Sequence, residues 1–369
     1  MGVVNILHMN TGNGESSYAK NSFLQETVIR KAMPTFKHTI KGMANPNTIF
    51  GHCFTLVDLG CSSGTNTLLV ARIIMDIVDE VCKENNRKTP QFQVCLNDLH
   101  GNDFNTIFKM LPNFHAKLKE EKGEDFGPSF VSAVPGSFYE RLFPNQTLHL
   151  AHSSYGIHWL SQVPKGLENN KANIYMAKTS PPSVFEAYRE QFYTDFTKFL
   201  KLRSKETVCD GCMVLTFHGR SIADPTSDDC CRFFELLAKS LLDMLEEGLV
   251  RESDINSFNL PYYTPCEDEV RDIIHSEGSF SLDTMNVFQG NWDPWDTDYT
   301  NISDFKENSH IHGKNAAQVF RAVAEPLLTS HFGNSVIDVL FKKFETHVAK
   351  HLIEKKTRYF NILISLTKI

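Results

Sequence analysis

Apolar and polar positions follow two rhythms along this chain. Short runs rich in β-branched and apolar residues stand at 54–60 (FTLVDLG), 92–99 (FQVCLNDL), 129–136 (SFVSAVPG), 148–154 (LHLAHSS), 212–219 (CMVLTFHG), 280–288 (FSLDTMNVF) and 359–369 (YFNILISLTKI). Runs of this length and composition predict buried strands. Between them lie segments with apolar residues at helical spacing, among them 68–84, 185–204 and 232–248. Strands alternating with helices predict an α/β fold on a mostly parallel sheet. The helical pattern between MVLTF and FSLDTMNVF is too long for one crossover, which implies an inserted helical layer. The stretch 289–313 (QGNWDPWDTDYTNISDFKENSHIHG) is acidic, aromatic and poor in aliphatics, and reads as a mobile loop or lid.

Composition narrows the partners. The chain has 369 residues, 41% of them hydrophobic, enough for a full core. Its formal charge of -7, with Lys and Arg scattered, leaves no electrostatic footprint for nucleic acid or an anionic membrane and favours small-molecule partners. The start lacks a signal-peptide pattern, Ile6 fills the Ser/Thr position of a myristoylation motif, and no apolar run reaches the roughly 18 residues of a spanning helix. A soluble, cytoplasmic protein is expected. The nine cysteines are read as free thiols, and Cys209 with Cys212 as small residues before a strand rather than a zinc pair. His310 and His312, in a polar stretch, are read as non-ligands.

The run LVDLGCSSGTNT (56–67) joins a predicted strand to a predicted helix through a glycine-bearing turn. In open parallel sheets ligands bind beyond the carboxyl ends of the strands, and Gly60 and Gly64 let backbone approach them. The turn is not G-x-G-x-x-G, so a pyrophosphate seat, and with it a nicotinamide-dependent oxidoreductase, is disfavoured. A sulfonium nucleoside asks instead for one acid near the turn and another for the ribose hydroxyls. Asp58 and Asp98, the latter ending CLND, are the candidates. A non-catalytic binder with a degenerate site is the remaining class.

Longer segments give a resemblance. NGESSYAKNS (13–22), DLGCSSG, LNDLHGNDFN (96–105), PGSFYERLFP (135–144), HSSYGIHWLSQVP (152–164), NLPYYTP (259–265), AVAEPLL (322–328) and ILISL (362–366) together resemble the SABATH family of plant S-adenosylmethionine-dependent methyltransferases, over essentially the whole chain. The resemblance implies a class I methyltransferase Rossmann-like seven-stranded sheet with an inserted helical cap, as one unit. The core would span about 25–165, 200–225, 275–290 and 355–369, and the cap about 166–199, 226–274 and 305–354. It also implies a homodimer. The donor would lie against Tyr18, Ser22, Asp58, Gly60, Cys61, Asn66, Asp98, Leu99, Ser137 and Phe138. Thr65 replaces a usual Pro and Glu140 a usual Gly, the second with an expected effect on the loop after Phe138.

For the acceptor the resemblance implies a pocket of Asn10, Gln25, Tyr155, His158, Trp159, Phe233, Phe234, Tyr263, Phe320 and Tyr359. The Trp159 indole N–H and the Gln25 amide N–H are two donors suited to a carboxylate oxygen. A carboxylic acid is ionised at neutral pH, so positioning by Gln25, Trp159 and His158 would suffice without an acid–base residue. Salicylate-methylating relatives usually carry Lys, Met, Trp and Met where this chain has Asn10, His158, Phe234 and Phe320. Asn10, His158 and Tyr359 are similar to the purine-methylating caffeine-synthase branch, so a xanthine N-methyltransferase stands beside the carboxyl methyltransferase. Some relatives bind magnesium at positions matching Asn170, Asn256, Phe258 and Asn259. Asn256 replaces a usual Asp there, which implies a weak or absent site.

Overall fold

The structure, a computed structural model, describes residues 6–12, 14–44, 50–123, 126–296 and 308–369. Seven strands form one sheet: β1 Cys53–Leu59, β2 Gln91–Asp98, β3 Ser129–Pro135, β4 Leu148–Ser154, β5 Thr207–Gly219, β6 Phe280–Asn291 and β7 Arg358–Lys368. Their order is β3-β2-β1-β4-β5-β7-β6. β1 to β5 run parallel, β7 is antiparallel to β5, and β6 is antiparallel to β7. Every predicted run is a strand, and the largest shift is at β5, which begins at Thr207 and so contains both Cys209 and Cys212. All nine cysteines are free.

Parallel strands covered on both faces read as continuous apolar runs rather than alternating ones. β1 shows why: Phe54 and Leu56 join one apolar layer with Phe36 and Ile74, and Val57 and Leu59 join the other with Phe196 and Phe199. The first layer is supplied by α2 (Phe23–Met43) and α3 (Thr65–Glu84), the second by α5 (Pro182–Glu206). A short helix, α1 (Tyr18–Asn21), precedes α2, and α4 (Phe104–Lys122) links β2 to β3.

Between β5 and β6 lie α6 (Asp228–Glu246), α7 (Glu252–Ser257) and α8 (Glu267–Glu277); between β6 and β7 lie α9 (Ser309–Phe332) and α10 (Ile337–Glu354). α10 packs against both α9 and α6. The expected loop at 289–313 is not loop at either end. β6 runs to Asn291, α9 starts at Ser309, and Trp292 is buried, with ring contacts to Phe233 at 4.9 Å and His351 at 5.2 Å. Asp293 bonds His312 Nδ1 at 2.6 Å and accepts from Asn315. Low aliphatic content misled there because aromatic rings and a buried polar pair supply the packing. Positions 297–307 of that stretch lie outside the described residues. Among the described residues no helix is long and apolar enough to cross a membrane.

Candidate active site

A cavity of about 1330 Å³ of atom-free space, partly continuous with solvent, opens beyond the carboxyl ends of the central strands. One end is built around the turn after β1. Gly60 takes φ +76°, a conformation that favours glycine, and a Cβ there would meet Gly156 Cα and Phe138 at 3.6 Å. The N–H groups of Gly60 and Cys61 both donate to Asn97 O at 2.9 Å. The Asn97 amide donates in turn to Val134 O and Gly136 O, tying the ends of β1, β2 and β3 together. Ser62, at φ +54°, directs its N–H to Asp98 Oδ2, and Leu99 N–H reaches Asp98 Oδ1, both at 2.7 Å. Each carboxylate oxygen still has a free lone pair. Burial raises the Asp98 carboxyl to about 6, against the two backbone N–H bonds that pull it down.

Tyr18, Leu99, Ser137 and Phe138 line this end with Gly60 and Asp98. Four residues expected at the donor do not line the cavity. Asn66 donates to Ser22 O at 2.9 Å, a bond that joins α3 to the start of α2. Asp58 has both oxygens engaged, one with His152 Nδ1 at 2.8 Å and one by Thr67 Oγ1 at 2.7 Å. Cys61 is buried beside Ser62. Ser22, Asp58, Cys61 and Asn66 thus make protein contacts around the turn. The loop after Phe138 is held by an ion pair that the sequence reading missed. Arg203 donates to Phe138 O at 2.7 Å, Glu140 O at 2.9 Å and Glu206 at 2.7 Å, with Arg203 and Glu206 both fully buried. The Glu140 side chain points outward to Lys198, so its replacement of a glycine is absorbed at the surface.

The other end of the cavity is aromatic. Gln25 from α2, Tyr155, His158 and Trp159 from the segment after β4, Phe233 and Phe234 from α6, Phe320 from α9 and Tyr359 from β7 all line it. Tyr155 sits at φ +60°, and its hydroxyl donates to Asn361 Oδ1 at 2.6 Å. Among the described residues the buried Gln25 Oε1 has no partner, and the Trp159 ring is buried beside it in the cavity lining. His158 Nδ1 accepts the backbone N–H of His218 at 3.0 Å, which leaves the proton of the neutral ring on Nε2. Burial first, and the neighbouring His218 second, hold His158 well below the ordinary range, so the ring is a neutral donor.

Two expected acceptor residues lie elsewhere. Tyr263 N–H bonds His158 O while Leu160 N–H bonds Pro261 O, pairing two extended segments. Successive side chains in such a pairing point to opposite sides. Tyr262 consequently lines the cavity, 5.1 Å from Trp159, and Tyr263 turns away to Arg220 and Glu269. The doubled tyrosine in NLPYYTP carried no sign of which would face inward. Asn10 donates to Glu325, Ser16 O and Arg321 O, fastening the N-terminal segment to α9, while Leu7, His8 and Met9 reach the cavity. His218 and Tyr262 are lining residues that sequence reasoning missed. The position of His218 at the carboxyl end of β5 was the available signal.

The suggested magnesium positions do not fit the ion. Asn170 donates to Asn259 Oδ1 at 2.8 Å and accepts from Ser180 Oγ at 2.7 Å, and Asn256 Oδ1 accepts from Ala172 N–H at 2.9 Å. Phe258 is buried nearby in sequence and supplies no charge. The side-chain oxygens are neutral and already serve protein donors, whereas a hard cation prefers carboxylates.

A sheet ordered β3-β2-β1-β4-β5-β7-β6 with β7 antiparallel, a glycine turn after β1 and an acid ending β2 define the frame of an S-adenosylmethionine-dependent methyltransferase. Comparison with known proteins carries this further. Residues 4–369 match the family model described as SAM dependent carboxyl methyltransferase. The chain belongs to that family, the SABATH methyltransferases, and is an enzyme that uses S-adenosylmethionine. It is 46% identical, over the whole of both chains, to S-adenosyl-L-methionine:benzoic acid/salicylic acid carboxyl methyltransferase 2 of Petunia hybrida. It is 44% identical, again over both whole chains, to probable jasmonic acid carboxyl methyltransferase 2 of Theobroma cacao. Among solved structures, a loganic acid methyltransferase with SAH superposes with a TM-score of 0.82 at 30% identity, covering 98% of each chain.

Proposed function

We propose that this enzyme methylates the carboxylate of a compact, ring-bearing acid, with the nucleoside held at the Asp98 end of the cavity and the acid at the Trp159 end. The observation that carries this reading is the Gln25 amide, whose Oε1 is buried without a partner among the described residues and whose oxygen and nitrogen positions interchange on a flip, beside the Trp159 indole on an otherwise aromatic wall. Two neutral donors suit a carboxylate oxygen, and the His158 Nε2–H adds a third in the same segment. Aromatic faces on α6, α9 and β7 suit a flat ring. At the other end, the free lone pairs of Asp98 suit a ribose diol, and Leu99, Phe138 and Ser137 suit the face and edge of an adenine.

S-adenosylmethionine, when bound, supplies an electrophilic methyl group on a sulfonium, whose S–C electrons leave with sulfur as the carboxylate oxygen takes the methyl. The chain's own work is alignment. Gln25 and Trp159 hold the acid, already ionised at neutral pH, with one oxygen free to attack. His158 is neutral and its Nδ1 is occupied, so it orients rather than abstracts. The expected cap keeps water from the reacting oxygen, a role suited to Phe233, Phe234 and Phe320, which reach the cavity from α6 and α9, whereas α5, expected in part within the cap, packs on the sheet. A homodimeric state is proposed on the resemblance, and a mass measurement in solution tests it.

The test of the activity is product identity. The protein is given labelled S-adenosylmethionine with aromatic and alicyclic carboxylic acids in one panel and xanthosine with methylxanthines in another. Methyl esters are expected. N-methyl products from the second panel, with no ester from the first, would overturn the reading.

A further inference from the structure

The wall built by β5 and β7 carries a polar group that neither cavity end uses. His218, at the carboxyl end of β5, lines the cavity with its ring stacked on Tyr359 at 4.6 Å between centroids and 14° between planes. Tyr155 packs 4.2 Å and His158 4.9 Å from the same ring. Its Nδ1 is hydrogen-bonded to the Tyr262 hydroxyl, and its buried Nε2 has no partner among the described residues. Among the described residues the Tyr262 hydroxyl has no other acceptor. Donation from that hydroxyl to Nδ1 satisfies both groups and places the ring proton on Nε2. Burial pushes the imidazole down to about 3, so this tautomer stays neutral at working pH. An orphaned buried N–H is costly and is normally retained only where something meets it.

We propose that His218 is a specificity-determining residue whose Nε2–H donates to a second acceptor atom on the ring of the methyl-accepting acid, such as a hydroxyl or ether oxygen, a carbonyl oxygen or a ring nitrogen. This rests on the carboxylate reading above and narrows it from ring-bearing acids to substituted ones. The geometry separates the two recognition tasks. Gln25 and Trp159 face the carboxylate common to all candidates, and His218, held between Tyr262 and Tyr359, reads the substituent. A site built to hydrogen-bond a substrate atom discriminates strongly against the analogue that lacks it, because its own polar group is then left unpaired.

The experiment measures kcat/KM for benzoate, for its three hydroxy and three methoxy isomers, and for the pyridine carboxylates, on the wild type, His218→Leu and His218→Gln. Methoxy oxygens accept but cannot donate, so they report the direction of the bond. At least one hydroxy isomer and its methoxy counterpart should exceed benzoate by about tenfold or more in the wild type. In His218→Leu that ratio should collapse to about one, and His218→Gln, which retains an N–H, should restore part of it. S-adenosylhomocysteine binding, checked for each variant, separates misfolding from lost recognition. If no substituted acid is preferred in the wild type, or if His218→Leu lowers every acid by the same factor, the assignment of His218 fails while the carboxylate reading stands. If no acid yields an ester at all, it is the carboxylate reading that fails.

Discussion

At the Asp98 end of the cavity the main chain does the positioning, whereas at the Trp159 end side chains do it. Around Asp98, the N–H groups of Gly60, Cys61, Ser62 and Leu99 converge on Asn97 and Asp98, all within two strand ends and the turn between them. Around Trp159, the wall is assembled from α2, α6, α9, β5, β7 and the segment after β4, which are scattered along the whole chain. A carboxylate fixed by backbone N–H groups keeps its place when the side chains around it change. A pocket drawn from side chains on many elements can be retuned residue by residue. One end therefore suits a ligand that never varies, and the other suits an acceptor that does.

The first way to break this contrast is through the ion pair behind the Asp98 end. Arg203→Met leaves the buried Glu206 with Arg141 and the N–H groups of Leu142 and Phe143 on one oxygen only and frees the carbonyls of Phe138 and Glu140, and should cost about 2–3 kcal/mol of stability. Denaturant unfolding measures it. A loss below about 1 kcal/mol would mean that the loop carrying Phe138 does not need the pair.

A smaller and more selective effect is expected at the other end. Gln25→Ala and Trp159→Phe should each raise KM for the acid about tenfold while leaving S-adenosylhomocysteine affinity unchanged. Steady-state kinetics with calorimetry checks both halves of that statement, and loss of donor affinity in either variant would erase the contrast.

The smallest effect is on pH. The Asp98 carboxyl is raised to about 6, so donor affinity should weaken as the pH falls through that value, at most about tenfold per unit. The stability sign is opposite to that of a paired surface acid. The folded carboxyl holds its proton to higher pH than the unfolded one, near about 4, so the ligand-free protein loses stability as pH rises between those values. Donor binding should recover it. Thermal unfolding between pH 4 and pH 7, with and without S-adenosylhomocysteine, reads this directly.

The same contrast explains what could be read from the sequence. The seven strands were legible because a doubly covered parallel sheet leaves continuous apolar runs, and the β1 turn was legible because its glycines and the acid ending β2 are close in the chain. Asp58 could not be placed from sequence because a carboxylate beside a turn looks the same whether it faces a ligand or, as here, bonds His152 and Thr67. Tyr263 was chosen over Tyr262 because their facing depends on pairing with 158–160, a contact distant in sequence. Arg203 and Glu206 lay unremarked in a helical pattern, since nothing local indicates that both are buried.

The most direct measurement is a calorimetric titration of S-adenosylhomocysteine into wild type, Asp98→Ala and Trp159→Phe. A donor end centred on the Asp98 carboxylate, itself held by main-chain N–H groups, and an acceptor end around Trp159 predict about a hundredfold weaker binding in the first variant and unchanged binding in the second. Unchanged affinity in Asp98→Ala would place the donor elsewhere and contradict the account.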